Sequence, residues 1–219
     1  MENNILHIDS ITKSYNNKQI LKDVYLKLNT GDIIGILGRN GSGKSTLLNI
    51  IFGTLEADNK FIKIGDNVFN KLYKEKGIIN YLPQNDFLPK HLKVKNIIKM
   101  YLDKDNIHHF LNNKIIQNII STRVRNLSGG EIRYLEAKLL MALDSKFVLL
   151  DEPFNGVSPI LVDEIKKIIV ENSLYKGIIL TDHDYRNVLS IANRICVIAN
   201  GSLKEIKNNN ELKYYGYIP

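Results

Sequence analysis

The chain has 219 residues, 44% of them hydrophobic and 24% charged, with one cysteine and a formal charge of +7. That composition excludes intrinsic disorder and a polytopic membrane protein: a chain this long buries roughly 70% of its unfolded surface without staples, and no run approaches the ~18 apolar residues of a spanning helix. The basic residues are spread among acids, so the charge suits nucleic acid, an anionic membrane face or a nucleotide equally.

Ile5–Ile11 and Val24–Leu28 alternate as half-buried strands, with a polar hairpin-like loop, Ser14–Lys18, between them. Asp32–Leu37 is nearly continuous apolar and predicts a strand covered on both faces. A glycine-rich turn leads into a helix over Lys44–Phe52, and short strands follow at Phe61–Ile64 and Ile78–Leu82. From Val94 to Ile120 the apolar residues recur at helical spacing, predicting two or three helices, and Gly130–Leu143 predicts another. Alternation then returns: strand Phe147–Leu150, helix Pro159–Val170 with proline at its start, strand Gly177–Thr181, helix Tyr185–Ile191, and strands Arg194–Ala199 and Leu203–Ile206 around Asn200-Gly201. The pattern is an α/β core interrupted by a helical insert. Met1–Ile5 lacks the basic and apolar regions of a secretory signal. Cys196, inside the run Ile195–Ile198, reads as a buried structural thiol suited to a reducing compartment. The aromatic tail Tyr214–Pro219 packs back on the core or touches a partner.

Three segments carry chemistry. Gly38-Arg39-Asn40-Gly41-Ser42-Gly43-Lys44-Ser45-Thr46 fits G-x-x-x-x-G-K-[ST] between a buried strand and a helix. Its glycines let successive backbone N–H groups wrap a phosphate chain at the positive end of the helix. Lys44 then meets the β- and γ-phosphates, and the Ser45 hydroxyl is a hard ligand for Mg²⁺. Phe147–Leu150 ends in Asp151 and Glu152. Adjacent carboxylates at the end of a buried strand need compensation, which Mg²⁺ and an attacking water would supply. Asp151 is the metal carboxylate in that reading, meeting the ion directly or through a water, and Glu152 polarises the attacking water. Leu127-Ser128-Gly129-Gly130-Glu131 places a hydroxyl and glycine N–H groups at a second helix start, a second anion site.

With Leu127–Glu131 following a P-loop and preceding the acidic strand, the whole chain resembles the nucleotide-binding subunit of the ATP-binding cassette (ABC) family. The resemblance implies an α/β fold: a P-loop NTPase core with an antiparallel β subdomain and a helical subdomain inserted at roughly residues 86–142, all in one domain over residues 1–219. It implies that Tyr15 stacks on adenine, that Gln84 coordinates Mg²⁺ and senses a transporter partner, and that His183 reaches the γ-phosphate and Glu152. The expected cofactors are ATP and Mg²⁺. The expected assembly is two copies stacked head to tail, each P-loop facing the partner's Ser128–Gly130, attached to separate transmembrane permease subunits at the cytoplasmic face of the cell membrane, with no nucleic acid. The strip from Gln84 to Asn96, with Phe87, Leu88, Leu92 and Val94, is the expected docking surface.

The chain departs from the pattern at Ser158, where the family usually has Asp, at Ile132, where it often has Gln, and in a shorter helical insert. A soluble ABC ATPase acting on ribosomes or DNA is the alternative, although such proteins usually join two cassettes or carry long inserts. A GTPase or small-molecule kinase is disfavoured, because no N-K-x-D guanine motif is present.

Overall fold

The structure, a computed structural model, describes residues 5–217 apart from the side chain of Asn209. The readings placed on Met1–Asn4 and on Ile218–Pro219 lie outside the described residues. In chain order the elements are β1 (Ile5–Tyr15), β2 (Lys18–Asn29), β3 (Ile33–Leu37), α1 (Lys44–Phe52), β4 (Asn59–Ile64), β5 (Asn67–Val68), β6 (Ile79–Leu82), α2 (Val94–Tyr101), α3 (Lys104–Leu111), α4 (Lys114–Ile119), α5 (Gly129–Ala142), β7 (Phe147–Asp151), α6 (Pro159–Ser173), β8 (Gly177–Thr181), α7 (Tyr185–Leu189), β9 (Arg194–Ala199), β10 (Ser202–Ile206) and α8 (Asn209–Tyr214).

Two sheets organise them. The antiparallel sheet runs β2-β1-β4-β5, and the second runs β10-β9-β3-β8-β7-β6, parallel except for β10. The expected loop Ser14–Lys18 is tighter than its polarity suggested. Tyr15 pairs with Lys18, and Asn16 and Asn17 alone turn the chain, both with positive φ (47° and 64°). Asparagine tolerates that left-handed pair, which a two-residue hairpin requires. The turn leaves Tyr15 at the tip of β1.

The five-residue strands β3, β7 and β8 are buried throughout, as continuous apolar runs in a covered parallel sheet should be. Alternation divides their side chains between two cores. Ile34, Ile36, Phe147, Leu149 and Ile179 join α1 and the antiparallel sheet. Ile33, Leu37, Val148, Leu150, Ile178 and Leu180 join the helices α2, α5, α6 and α7. Helix α1 is anchored through Leu47, Leu48, Ile50 and Ile51, all fully buried, each burial worth roughly 1.5–3 kcal/mol.

α2 to α5 all lie between β6 and β7, and α5 packs against α6 and β6. Two residues of the expected docking strip are core instead: Leu88 is 3% exposed and Val94 is fully buried. Phe87 stays half-buried with its ring 6.4 Å from that of Tyr101. At the carboxyl end α8 buries Leu212, and the Tyr217 ring sits 6.0 Å from that of Tyr185 on α7. The tail as far as Tyr217 therefore packs back on the core through Tyr215 and Tyr217, with the Tyr214 ring turned outward. Cys196 is buried as expected, and burial pushes its thiol up to about 12.

Parallel strands discharge their loops at one edge. The glycine-rich loop leaves β3, Gln84 follows β6, Glu152 follows β7 and His183 follows β8. The carboxyl edge of an open parallel sheet is where such folds bind ligands.

Candidate active site

A cleft of about 440 Å³ at this edge is lined by Tyr15, Ile20, Asn40–Thr46, Gln84, Glu152 and His183. A larger hollow of about 540 Å³ lies elsewhere, against β1, β4 and Lys146, among none of the predicted residues. The loop leading to α1 has φ of +75° at Gly41 and +105° at Gly43. A Cβ on Gly43 would come within 2.9 Å of Ile20 Cγ2 and 3.0 Å of Leu21 Cδ2, so only glycine lets the loop lie against β2. No side chain caps α1, which leaves its first N–H groups available to an anion. Lys44 is 6% exposed, and its Nζ donates to the carbonyls of Gly38 (2.7 Å) and Arg39 (3.4 Å). Burial draws the ammonium below the usual lysine value, while Glu152, Asp151 and Asp182 hold it up. Ser42 Oγ is buried without a hydrogen-bond partner among the described residues. A phosphate oxygen in the loop would satisfy it.

Opposite this cradle the carboxylates are held by protein groups. Asp151 is 1% exposed; it accepts from Tyr81 Oη at Oδ2 (3.1 Å) and from Thr181 Oγ1 at Oδ1 (2.8 Å). Asn49 Nδ2, on α1, donates to the same Tyr81 hydroxyl at 3.1 Å. Burial beside Asp151 raises the Tyr81 phenol above its ordinary value and keeps it a donor. Glu152 is 4% exposed with φ of +54°. Its Oε2 accepts from Gln84 Nε2 (2.9 Å) and Asn155 Nδ2 (3.2 Å). Its Oε1 lies 2.7 Å from His183 Nε2. Asp182, whose carboxyl burial pushes up, accepts from the backbone N–H groups of Phe154 (3.1 Å) and Asp184 (3.0 Å), and so ties the loop after β7 to the loop that carries His183.

The compensation expected from Mg²⁺ and water is therefore supplied in large part by hydroxyls, amides and an imidazole. The donor set still fits the cation: the Ser45 hydroxyl, the Asp151 carboxylate and the Gln84 amide oxygen are all hard oxygens. Among the described residues no group of three or more His, Cys, Asp or Glu could hold a metal alone. The ion would complete its shell with phosphate oxygens.

Ser128, Gly129 and Gly130 stand apart from this cleft. Ser128 caps α5: its Oγ accepts from Glu131 N (3.3 Å), and Glu131 Oε2 accepts from Ser128 N (2.8 Å) and Oγ (2.9 Å). That capping box uses the hydroxyl internally, while Ser128 and Gly129 remain exposed.

Sequence reasoning missed Tyr81, Thr181, Asn155 and Arg133. Tyr81 and Thr181 are polar residues near the ends of apolar strands at the ligand edge, a signal that was available. Arg133, only 4% exposed, donates to the carbonyls of Pro83 (2.6 Å), Asp151 and Glu152 (3.0 Å).

Residues 21–155, from β2 through the Asp151–Glu152 pair, match the family model described as ABC transporter. The chain belongs to that family. The lipopolysaccharide export system ATP-binding protein LptB of Escherichia coli (strain K12) is 32% identical over 208 residues, 89% of this chain and 86% of that protein. LptB of Haemophilus influenzae is 31% identical, covering 95% of each chain. Among solved structures, the ATP-binding subunit of an ABC transporter superposes with a TM-score of 0.83 at 19% identity, covering 97% of this chain and 94% of that one. A nucleotide-free ATP-binding cassette from an ABC transporter gives 0.77 at 25% identity, covering 98% and 94%. This ABC chain is the ATP-binding subunit of a transporter and an ATPase, and its relatives favour transport over the soluble alternative. No helix among the described residues is long and apolar enough to cross a membrane.

Proposed function

We propose that this subunit binds ATP with Mg²⁺ in the cleft between Tyr15 and His183 and hydrolyses it by activating a water at Glu152. The observation that carries the reading is the convergence on one carboxylate of Gln84, Asn155 and His183 beside the loop that buries Lys44.

In this reading Tyr15 offers its exposed ring to adenine. Asn40–Thr46 supply backbone N–H groups to the phosphates, and Lys44 exchanges its carbonyl partners for β- and γ-oxygens. Ser45, Asp151 and Gln84 hold Mg²⁺, which when bound neutralises charge developing on the β- and γ-phosphates. Glu152 accepts the proton of the attacking water. His183 fixes Oε1 and faces the γ-phosphate, which bonds to the attacking water as its bond to the departing ADP breaks, and Gln84 fixes Oε2.

Ser128–Gly130 do not line the cleft around Asn40–Thr46, so in this reading a complete site takes two copies stacked head to tail, each covering the other's ATP. We read residues 1–219 as one cassette with a helical subdomain near 86–142. It is driven against separate permease subunits at the cytoplasmic face of the membrane, with Phe87 and Leu92 in the contact. No nucleic acid takes part.

Lys44→Ala tests the nucleotide site. Hydrogen bonds from a charged donor contribute about 1.5–3 kcal/mol, so ATP affinity falls by roughly ten- to a hundredfold in equilibrium binding. Unchanged affinity would sink the assignment. Copurification with a membrane subunit tests the transport half, and a ribosome or DNA partner in its place would overturn it.

A further inference from the structure

Helix α5 buries two charges, Arg133 (4% exposed) and Glu136 (0%), where Ile132, Tyr134, Leu135 and Ala137 are all core. Such burial is costly unless every charge is paired and hydrogen-bonded. Their hydrogen-bond partners lie on two segments, the loop after β6 and the end of β7 with the turn that follows it. Arg133 Nη1 donates to Pro83 O, and Nη2 donates to the carbonyls of Asp151 and Glu152. Glu136 Oε1 accepts the backbone N–H groups of Phe87 (2.7 Å) and Leu88 (3.3 Å). Glu136 Oε2 has no hydrogen-bond partner among the described residues and lies 3.6 Å from Arg133 Nη1.

The segment Pro83–Leu88 is thus pinned to α5 at both ends, with Gln84 between the pins. The same guanidinium grips the carbonyl of Glu152, whose left-handed φ of +54° a non-glycine residue keeps only when its surroundings impose it. Gln84 and Glu152 then meet at 2.9 Å. A lysine could not substitute: a point charge lacks the planar fork that spans carbonyls on two separate segments.

We propose that Arg133 and Glu136 are positioning residues for hydrolysis, a single guanidinium–carboxylate unit that sets the Gln84 loop and the Glu152 turn against each other. The proposal rests on Glu152 being the group that activates water. A misplacement of about an ångström at a reacting group costs on the order of a hundredfold in rate, whereas ATP binding through Tyr15 and the β3–α1 loop does not pass through this unit.

The test compares Arg133→Lys, Glu136→Gln, Glu136→Ala and Glu152→Gln with wild type, measuring ATP affinity with a fluorescent nucleotide and hydrolysis by single turnover on protein titrated for bound nucleotide, so that unfolded chains do not count. Arg133→Lys and Glu136→Ala should lose at least about tenfold in single-turnover rate and keep ATP affinity, measured without Mg²⁺, within about twofold. Glu136→Gln keeps an acceptor for Phe87 and Leu88 and should recover most of the rate that alanine loses. Rate and affinity falling together, or Arg133→Lys turning over within about twofold of wild type while Glu152→Gln stalls, would overturn the proposal. Failure of both Arg133→Lys and Glu136→Gln to fold would also overturn it, in favour of a purely structural pair. A Glu152→Gln variant as fast as wild type would instead remove the reading underneath.

Discussion

Glu152→Gln isolates the proposed chemistry because the structure lets the substitution keep its place. The Glu152 carboxylate makes three contacts: two amides on Oε2, from Gln84 at 2.9 Å and Asn155 at 3.2 Å, and His183 Nε2 at 2.7 Å from Oε1. A glutamine of the same shape presents its carbonyl oxygen to the two amides and its NH₂ to the imidazole, which becomes the acceptor by changing tautomer. Hydrogen bonds are conserved, no cavity forms, and the Arg133 grip on the backbone is untouched. Folding stability should stay within about 0.5–1 kcal/mol of wild type. The lost element is the base. Positioned proton transfer contributes roughly 10²–10⁴ in rate, or about 2.7–5.4 kcal/mol at 1.36 kcal/mol per decade, so kcat should fall by that factor while ATP binding holds or tightens, a negative charge having left the phosphate site. Steady-state phosphate release at saturating ATP measures the first effect and equilibrium binding the second. Gel filtration with ATP should then show a stalled dimer. Turnover within a few-fold of wild type refutes Glu152 as the base, whatever the dimer does.

Thr181→Val removes a hydroxyl that donates to Asp151 Oδ1 at 2.8 Å from a fully buried position. A hydrogen bond to a charged group contributes about 1.5–3 kcal/mol, and Glu152 N keeps the Thr181 carbonyl at 3.0 Å. The calorimetric midpoint should therefore drop by roughly 4–8 °C, Thr181→Ser should restore it, and a midpoint equal to wild type refutes the contact. Tyr15→Ala removes a half-exposed ring whose recorded partner is the Lys13 ammonium, 5.1 Å from its centroid. Stacking is worth about 1–3 kcal/mol per base, so ATP should bind about five- to a hundredfold more weakly while inorganic triphosphate binds as before, and equal losses for both ligands exclude stacking.

What the sequence made legible follows from how local each cause is. The strands β3 and β8 and the helix α1 were readable almost to the residue, because each is an apolar run whose ends are marked by glycine or polar residues in the sequence itself. β5 was not: two exposed residues, Asn67 and Val68, pair with Lys63 and Ile64 only because β4 is already in place. Two members of the docking strip, Leu88 and Val94, turned out to be core for a related reason. Hydrophobicity at Leu88 and Val94 says that they avoid water, and only the insert's own packing says where. Site residues identified by a motif were found together, except Ser128–Gly130, which do not line the cleft. The groups that orient Asp151 and Glu152 escaped notice because their roles are relations between distant segments. Arg133 had one local trace, a charge three residues from Glu136 on a helix otherwise apolar on most sides.

Helix starts make the contrast physical. Asp103, Asn113, Ser128, Asp184 and Asn208 each cap the helix that follows with a side-chain acceptor, the arrangement that stability favours by about 1 kcal/mol per cap. α1 does the reverse: a glycine at φ 105° stands at the cap, and a buried lysine occupies the first helical position, cation against the positive end of the dipole. α2 and α6 also lack side-chain caps, yet neither buries a cation at its start. Such a start is unfavourable by about 0.3–1 kcal/mol for the charge in addition to the lost cap, and the burial of Leu47, Leu48, Ile50 and Ile51 offsets it several times over. The helix is thus secured by its apolar face, so its first turn is free to be arranged against its own stability. An anionic phosphate chain is the ligand for which unspent N–H groups, a positive dipole end and a lysine all turn from a cost into affinity.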